Sequence, residues 1–250
     1  MLLSENMRQD RASVLPGELR RRLARARSVC VLTGSGISAE SGLPTFRGAG
    51  GLWRTHRVEE LASPEAFARD PKFVWTWYNE RLAAHARTEP NAGHFALARL
   101  ETRIADFALV TQNVDSLHRR AGSHNVFELH GHLREARCTG CRVRHSLEGG
   151  MPLDGIEHEC GGRFRPDIVW FGEGLPPAPW ENARAAAARA EVLLVIGTSG
   201  LVQPAASLAS RRAAPNAWIV EINPEETAVS AYADAIMRGR AAELLPAIVE

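Results

Sequence analysis

The feature that most constrains the fold is a series of short apolar runs that alternate with helical stretches. The runs are rich in β-branched residues and are predicted as strands at 28–34, 107–111, 126–129, 192–197 and 218–222. Helical periodicity is found at 18–27, 91–101, 180–190 and 204–214. Strands that are apolar throughout are buried on both faces, as in a parallel sheet that helices cover. The sequence therefore predicts an α/β fold with a Rossmann-like parallel sheet.

The charge balance excludes several classes of partner. The 250 residues carry 30 basic and 29 acidic side chains, so the formal net charge is +1 and no overall field attracts nucleic acid or an anionic membrane. No apolar run approaches the roughly 20 residues of a membrane-spanning helix, and the first residues are polar too early for a secretory signal. We expect a cytoplasmic protein with no nucleic-acid partner and no membrane partner.

Two segments interrupt the alternation of strands and helices. Residues 42–90 combine aromatics and loop residues with helical pieces, and residues 135–165 are glycine-rich and hold three of the four cysteines. We expect both to be insertions that form a smaller module against the sheet. The chain is then a single domain, 1–250, whose sheet part comprises about 18–41, 91–134 and 166–250.

A glycine-rich turn, Gly34-Ser35-Gly36-Ile37, follows the first predicted strand. Two glycines at such a turn let the backbone approach a diphosphate, and amides at the next helix N-terminus can bind its charge. The motif alone is weak, because a strand-to-helix turn also forms without a ligand. The third glycine and the acidic ribose-binding residue of hydride-transfer enzymes are not in their ordinary places, which disfavours a standard NAD dehydrogenase.

Polar residues follow the second predicted strand, and a histidine ends the third. Gln112, Asn113 and Asp115 lie at a carboxyl strand end, where open parallel sheets bind ligands. Asn113 and Asp115 can hold a carboxamide or ribose hydroxyls, although such residues also cap loops. His130, with an ordinary pKa of about 6.5, can accept a proton from a hydroxyl at neutral pH.

The cysteine spacing indicates zinc rather than disulfides. Cys138 and Cys141 form a CxxC pair, and Cys160 follows after 18 intervening residues. A CxxC pair with a further ligand at about this distance is typical of a zinc site. Cys30 lies within an apolar strand and is interpreted as a small buried hydrophobe.

Five sequence blocks occur in a characteristic order. They are GSGISAESGLPTFRG (34–48), TQNVDSLH (111–118) with Ala121-Gly122, ELHG (128–131), RPDIVWFGE (165–173), and GTS (197–199) with EIN (221–223). Together they resemble the signature of the sirtuins, the NAD-dependent protein lysine deacylases. The matches run from about residue 28 to residue 246. One departure is Ser35, where the family usually has alanine.

The resemblance implies removal of acyl groups from protein lysine, with NAD as co-substrate. In the family mechanism the acyl oxygen attacks C1′ of the nicotinamide ribose, nicotinamide leaves, and a base activates a ribose hydroxyl. The products are free lysine and O-acyl-ADP-ribose. The resemblance assigns the base to His130 and further catalytic roles to Asn113 and Asp115. The NAD contacts that it implies are Gly34, Ser35, Gly36, Ile37, Phe46, Arg47, Gln112, Asn113, Asp115, Gly197, Thr198, Ser199, Asn223 and Ala241.

The acyl group is predicted from two further places. Val169, Trp170, Phe171 and Gly172 resemble the stretch that forms the acyl-lysine tunnel. Tyr78 and Arg81 are three residues apart, so on a helix they share a face, and a phenol beside a guanidinium suits a carboxylate. The sirtuins that remove succinyl, malonyl or glutaryl groups, including the bacterial class III subgroup, carry this pair. We expect acid-acyl activity with deacetylation retained, the alternative being a packed tyrosine beside a solvated arginine.

The zinc pattern of the family is incomplete in this chain. Sirtuins normally carry four cysteines, of which Cys138, Cys141 and Cys160 match three, while the remaining position falls at His158 or Glu157. Histidine is a good zinc ligand, so we expect a structural Cys3His site with His158 and regard His145 as a weaker candidate. A three-cysteine site and a module without metal are the alternatives.

Two other functions are compatible with the same motifs. One is mono-ADP-ribosyl transfer to protein, and the other is a non-catalytic regulator that binds NAD or ADP-ribose. The regulator would have lost its base or its polar loop, whereas His130, Asn113 and Asp115 are all present. We expect a monomer that acts on proteins or peptides carrying acyl-lysine.

Overall fold

The computed structural model describes residues 16–46 and 61–249. In these ranges the strands are β1 (Ser28–Thr33), β2 (Asp106–Thr111), β3 (Val126–Glu128), β4 (Gly131–Cys138), β5 (Arg144–Ser146), β6 (Phe164–Ile168), β7 (Val192–Ile196), β8 (Trp218–Ile222) and β9 (Ala235–Met237). The α-helices are α1 (Pro16–Leu23), α2 (Pro64–Arg69), α3 (Pro71–Ala86), α4 (Ala92–Glu101), α5 (Leu117–Arg120), α6 (Pro177–Arg189) and α7 (Ala241–Val249). Short 3-10 helices are Ser35–Ser41, Ala205–Ala209 and Ala228–Ala231.

Six strands form a parallel sheet in the order β3-β2-β1-β7-β8-β9. The predicted α/β fold is therefore confirmed, and each of the five predicted strands is found with bounds that differ by at most one residue. The order places the first strand of the chain at the centre, between β2 and β7. The carboxyl ends of these strands therefore meet at one edge of the sheet.

Apolar side chains fill both faces of this sheet. Val31, Leu109 and Leu194 face a core with α1, α4 and α7, while Cys30 and Leu193 face a core with α6. Because neighbouring residues of a strand point to opposite faces, burial on both sides requires continuous apolar runs. The expectation that Cys30 is a buried hydrophobe is confirmed.

The predicted helix over 204–214 is largely wrong. A short 3-10 helix, Ala205–Ala209, takes its place and ends at Ser210, whose backbone is extended. The Ser210 hydroxyl donates to the carbonyl of Ser207, an interaction that competes with continued helix. The helical periodicity of this segment reflects burial of its small residues beside α6. Helix α7 and strand β9 were not predicted.

A smaller antiparallel sheet, in the order β5-β4-β6, packs with α2 and α3 around a third apolar cluster. The helices α2 and α3 of this module each begin with a cap motif. Ser63 and Asp70 each accept a backbone amide hydrogen in the first turn, at 3.1 and 3.0 Å, and each precedes a proline. Proline is favoured at this position because its missing amide hydrogen would have no helical partner. Within the described ranges, no helix is long and apolar enough to cross a membrane.

Removal of a core side chain from the central sheet should greatly lower the free energy of unfolding. Leu109 is fully buried, so Leu109→Ala should lower the free energy of unfolding by about 2–5 kcal/mol. Leu153→Ala, at an exposed leucine, is the control and should change it by less than about 0.5 kcal/mol. Urea unfolding measures both values. Equal destabilisation by the two variants would contradict the assigned core.

Candidate active site

The loops that follow β1, β2, β7 and β8 open into one cavity of about 920 Å³. The opposite side of the cavity is formed by α3 and by the segment that follows β6. A ligand cleft at the carboxyl edge of a parallel sheet is the expected location for this architecture. The cavity therefore brings together polar residues from distant parts of the chain.

Glycines bring two of these loops into backbone contact. The Gly36 amide donates to the Gly197 carbonyl at 2.8 Å, and a Cβ on Gly36 would lie 2.7 Å from the Gly197 Cα. Any side chain here would separate the loops. These glycines are therefore required by loop packing as well as by any diphosphate. Gly34 lines the same wall.

Ser35, the departure from the sirtuin pattern, also lines the cavity. Its hydroxyl accepts a hydrogen bond from the Phe46 amide at 3.4 Å. An alanine could not make this contact, so the substitution adds a link between the glycine turn and the start of the next loop. Phe46 lines the cavity, whereas Arg47 lies outside the described residues.

Asn113 and Asp115 are held in a buried network. The Ser38 hydroxyl donates to Asp115 Oδ2 at 2.7 Å, and the Leu117 amide donates to Asp115 Oδ1 at 2.9 Å. Asn113 Nδ2 donates to the Gly34 carbonyl and to Ser38 Oγ, both at 3.2 Å. Both side chains are fixed from behind, and both line the cavity.

His94 completes this network as a neutral imidazole. Its Nδ1 accepts from the Asn91 amide at 3.3 Å, so the ring hydrogen is on Nε2, which lies 3.4 Å from Ser38 Oγ. Burial outweighs the attraction of Asp115 and lowers the pKa of His94 to about 4. The His118 ring lies 4.9 Å from the His94 ring and is also buried, which holds its pKa well below the usual range. Neither ring carries charge at neutral pH.

His130 lies at the end of β3 and lines the cavity. Its Nδ1 is 2.8 Å from the Gln112 carbonyl. A carbonyl can only accept, so Nδ1 carries the hydrogen and Nε2 keeps a free lone pair. Burial lowers the pKa of His130 more than this hydrogen bond raises it. The imidazole is therefore neutral at pH 7 and able to accept a proton at Nε2.

The remaining predicted NAD contacts divide into two groups. Gln112 Nε2 donates to Thr198 Oγ1 at 3.0 Å, and Asn223 Nδ2 donates to the Thr198 carbonyl at 3.0 Å, which joins three strand ends. Gly197, Ser199 and Ala241 line the cavity beside them. Ile37 does not line it, because its side chain is buried in the core under α4.

Tyr78 and Arg81 line the opposite side of the cavity. The Arg81 guanidinium carbon lies 3.3 Å from the centre of the Trp77 ring, and its Nε is buried without a hydrogen-bond partner in the described part of the chain. Burial lowers the pKa of Arg81 to about 10, so the group is still charged at neutral pH. The guanidinium is therefore partly buried against Trp77 rather than fully solvated.

The segment after β6 forms the wall between His130 and α3. The Val169 amide donates to the His130 carbonyl at 2.9 Å, and the Phe171 amide donates to the Ala62 carbonyl at 3.0 Å. Val169, Trp170 and Phe171 line the cavity, but Gly172 does not. Gly172 has a φ of 87°, which favours glycine, so its role is to turn the chain.

Four predicted metal ligands form a cluster outside the cavity. Cys138, Cys141, His158 and Cys160 place one ligand atom each within 4.8 Å of one another. Tetrahedral zinc separates sulfur and nitrogen ligands by about 3.5–3.8 Å. The Cys138 and Cys160 sulfurs are 3.4 Å apart, and Cys141 Sγ is 3.6 Å from His158 Nδ1. The donor set fits zinc with a histidine as the fourth ligand.

The contacts of each ring distinguish His158 from the weaker candidate ligand, His145. The His158 ring lies edge-on to Phe164 at 5.1 Å between ring centres, which leaves Nδ1 directed at the sulfurs. His145 packs on the same phenylalanine at 5.5 Å and is not part of the cluster.

The sequence pattern of the Sir2 family matches residues 34–204. The chain belongs to the Sir2 family. The NAD-dependent protein deacylase 2 of Pyrobaculum aerophilum is 49% identical over 231 residues, which are 91% of this chain and 92% of that protein. The NAD-dependent protein deacylase of Thermus thermophilus is 49% identical over 230 residues, covering 90% of this chain and 91% of that protein.

Solved structures of the Sir2 family have the same fold. A Sir2 homologue in complex with NAD has a TM-score of 0.88 and 45% identity, covering 95% of this chain and 94% of that chain. The resemblance to the sirtuins is therefore confirmed, and it extends over nearly all of the chain.

Several contacts of this Sir2-family site were not predicted. Ser38 and His94 hold Asp115 in place, and the sequence assigns neither of them a role. Trp170 belongs to the predicted tunnel stretch, but the sequence does not predict its hydrogen bond to Tyr78. Ser38 lies within the block 34–48, and Trp170 lies within the block 165–173. Their contacts depend on partners that are 77 and 92 residues away in the chain.

The cluster geometry predicts that His158 contributes directly to metal affinity. Purified protein should contain one zinc per chain, and His158→Ala should lose it to a chelator at least about tenfold more readily. His145→Ala is the matched control, because it removes an imidazole from the same module outside the cluster. Zinc content after graded chelation measures the effect. Equal zinc retention in both variants would exclude His158 as a ligand.

Proposed function

We propose that this Sir2-family chain is an NAD-dependent deacylase that removes acyl groups from lysine side chains of proteins, with a preference for acyl groups that end in a carboxylate. The observation that carries the proposal is the neutral imidazole of His130 in a cavity that also holds the Asn113 and Asp115 loop. The names of the relatives, NAD-dependent protein deacylases, support the same reaction.

We assign one side of the cavity to NAD, which supplies a ribose carbon that loses nicotinamide and accepts the acyl oxygen. The glycine turn, Thr198, Ser199, Asn223 and Ala241 form this side. They belong to the sheet part of the chain, about 18–41, 91–134 and 166–250, which we take as the NAD-binding part. The segments 42–90 and 135–165 are then its insertions.

His130 acts as the general base in this proposal. Its Nε2 accepts a proton from a ribose hydroxyl while the Gln112 carbonyl holds Nδ1. The hydrogen bond fixes the tautomer, and burial keeps the ring unprotonated near neutral pH.

Asn113 and Asp115 orient the substrate beside His130. Ser38 and the Leu117 amide hold both Asp115 oxygens, so this carboxylate keeps one position. A fixed carboxylate stabilises positive charge that develops nearby in a site shielded from water. The Asn113 amide is held in the same way by the Gly34 carbonyl.

The distal end of the acyl group meets Tyr78 and Arg81. Arg81 is charged and partly buried. Its Nη1 donates to the Trp77 carbonyl at 3.3 Å, but its Nε has no hydrogen-bond partner among the described residues, and a buried donor left unpaired is costly. A succinyl or malonyl carboxylate would supply two acceptors for this fork. An acetyl group fits the same tunnel without that gain, so deacetylation is retained.

The zinc that we assign to Cys138, Cys141, His158 and Cys160 has a structural role. The four side chains are absent from the cavity wall, so the metal would tie β4 to the loop before β6 rather than take part in the reaction.

The protonation state of His130 sets the expected pH dependence. Its pKa lies below the ordinary 6.5, so kcat/KM should be flat at neutral pH and fall tenfold per unit below that pKa. His130→Ala should lower kcat by at least about 100-fold. His124→Ala, at an exposed histidine after α5, is the control and should keep both rate and profile. Nicotinamide release measures the rates. Unchanged turnover in the His130 variant would exclude it as the base.

The acyl preference is tested with one peptide carrying either acetyl-lysine or succinyl-lysine. Arg81→Met should lower kcat/KM for the succinyl peptide by about 10–100-fold while acetyl turnover remains, because only succinyl bonds to the guanidinium. Arg87→Met, at an exposed arginine just beyond α3, is the matched control and should leave the ratio unchanged. If the parent does not prefer succinyl and Arg81→Met changes nothing, the pair is structural.

A further inference from the structure

Trp170 makes a buried hydrogen bond to the phenol of Tyr78. The indole Nε1 lies 3.0 Å from Tyr78 Oη, and neither side chain is more than 3% exposed. An indole nitrogen can only donate. The phenol oxygen is therefore the acceptor in this pair, and its own hydrogen is left for another acceptor.

We propose that Trp170 is a specificity-determining residue that holds the Tyr78 hydroxyl as a hydrogen-bond donor toward an acyl carboxylate. This inference rests on the proposed acid-acyl preference and names the group that sets it. The described residues offer no acceptor for the Tyr78 hydrogen. A succinyl or malonyl carboxylate supplies one, whereas the methyl of an acetyl group does not.

The phenol keeps its hydrogen under all ordinary conditions. Burial raises the pKa of Tyr78 far above its usual range, and this outweighs the opposing effects of Trp170 and the nearby arginines. A hydrogen bond accepted by a hydroxyl also polarises it and strengthens the one that it donates. Trp170 therefore improves Tyr78 as a donor in addition to orienting it.

The indole is clamped, so it cannot turn away from the phenol. The Arg165 guanidinium carbon lies 3.4 Å from the centre of the Trp170 ring, and the Phe67 ring packs on it at 5.4 Å between centres. Arg165 donates to both oxygens of Glu173, at 2.5 and 2.8 Å. Glu173 Oε2 in turn accepts from the Trp170 amide at 2.9 Å. The Trp170 ring, the Trp170 amide and the Arg165–Glu173 ion pair are therefore joined by direct contacts.

The charge state of Glu173 keeps this clamp closed. Burial opposes ionisation, but the hydrogen bonds from Arg165 and from the Trp170 amide outweigh it and lower the pKa of Glu173 below its ordinary value. The carboxylate is therefore ionised at neutral pH. Arg165 is almost fully buried, so the pair is shielded from solvent on that side.

The tyrosine is equally fixed on its own helix. The Trp77 ring meets the Tyr78 ring edge-on at 4.7 Å between centres, and Trp75 does so at 6.5 Å. Only rotation of the hydroxyl hydrogen is left free. With Arg81 one turn further along α3, the end of the tunnel presents donors that suit a carboxylate.

The test compares succinyl-lysine and acetyl-lysine peptides in the full-length enzyme. Trp170→Phe removes the indole N–H and keeps an aromatic ring, so the succinyl-to-acetyl ratio of kcat/KM should fall about five- to tenfold. In a Tyr78→Phe background the same substitution should change the ratio by less than twofold, because the hydroxyl that it acts on is absent.

Trp218→Phe is the matched control. Trp218 is a partly buried tryptophan whose ring packs under the Arg22 guanidinium carbon at 4.2 Å from the ring centre, and it does not line the cavity. Its loss should cost stability without changing the succinyl-to-acetyl ratio. If Trp170→Phe does not fold, benzothienylalanine at position 170 keeps the fused ring and lacks only the N–H.

The outcomes separate this inference from the proposed function. An equal loss on both substrates, or the same ratio change with and without the Tyr78 hydroxyl, would overturn the role of Trp170. If Arg81→Met lowers the ratio and Trp170→Phe does not, the inference fails while the acid-acyl preference stands. If the parent enzyme has no succinyl preference at all, both fail.

Discussion

The site depends on the backbone contact between the loops that follow β1 and β7. Gly36 and Gly197 approach so closely that neither tolerates a side chain, and the Gly36 amide bonds to the Gly197 carbonyl at 2.8 Å. The loop after β2 is joined to both, through Asn113 to Gly34 and through Gln112 to Thr198. One continuous wall results, and it positions the polar groups that the sheet loops contribute to the cavity.

Burial gives different charges to the basic groups in the cavity wall, such as His130 and Arg81, and to His94 and His118, which do not line the cavity. The three imidazoles of His94, His118 and His130 are neutral near pH 7, because desolvation lowers each pKa. Arg81 loses part of its hydration too, but its pKa of about 10 keeps it charged. In the proposed reaction, an acyl carboxylate would therefore meet a cation at Arg81, while His130 would stay free to accept a proton. The difference in intrinsic basicity between arginine and histidine would separate these two roles.

Local patterns in the sequence predict the sheet well and the contacts of the site less well. Buried strands such as Val192–Ile196 are apolar throughout, and their position follows from that pattern. Tyr78 was selected for its spacing to Arg81, but its partner Trp170 lies 92 residues away on another element. The sequence does not indicate a role for Ser38 or His94, because that role depends on their burial next to Asp115 in the folded chain. The 204–214 segment shows the opposite error. Its small buried residues have helical periodicity, but the hydroxyls of Ser207 and Ser210 bond to backbone carbonyls and a full α-helix does not form.

The central claim is that one cavity joins NAD to an acyl-lysine with His130 as the base. Mass spectrometry of a reaction containing the protein, NAD and a succinyl-lysine peptide tests it most directly. The account predicts equal amounts of nicotinamide, unmodified lysine peptide and O-succinyl-ADP-ribose. A peptide that keeps its succinyl group and gains ADP-ribose would contradict the account in favour of ADP-ribosyl transfer, and unconsumed NAD would contradict it in favour of a non-catalytic binder.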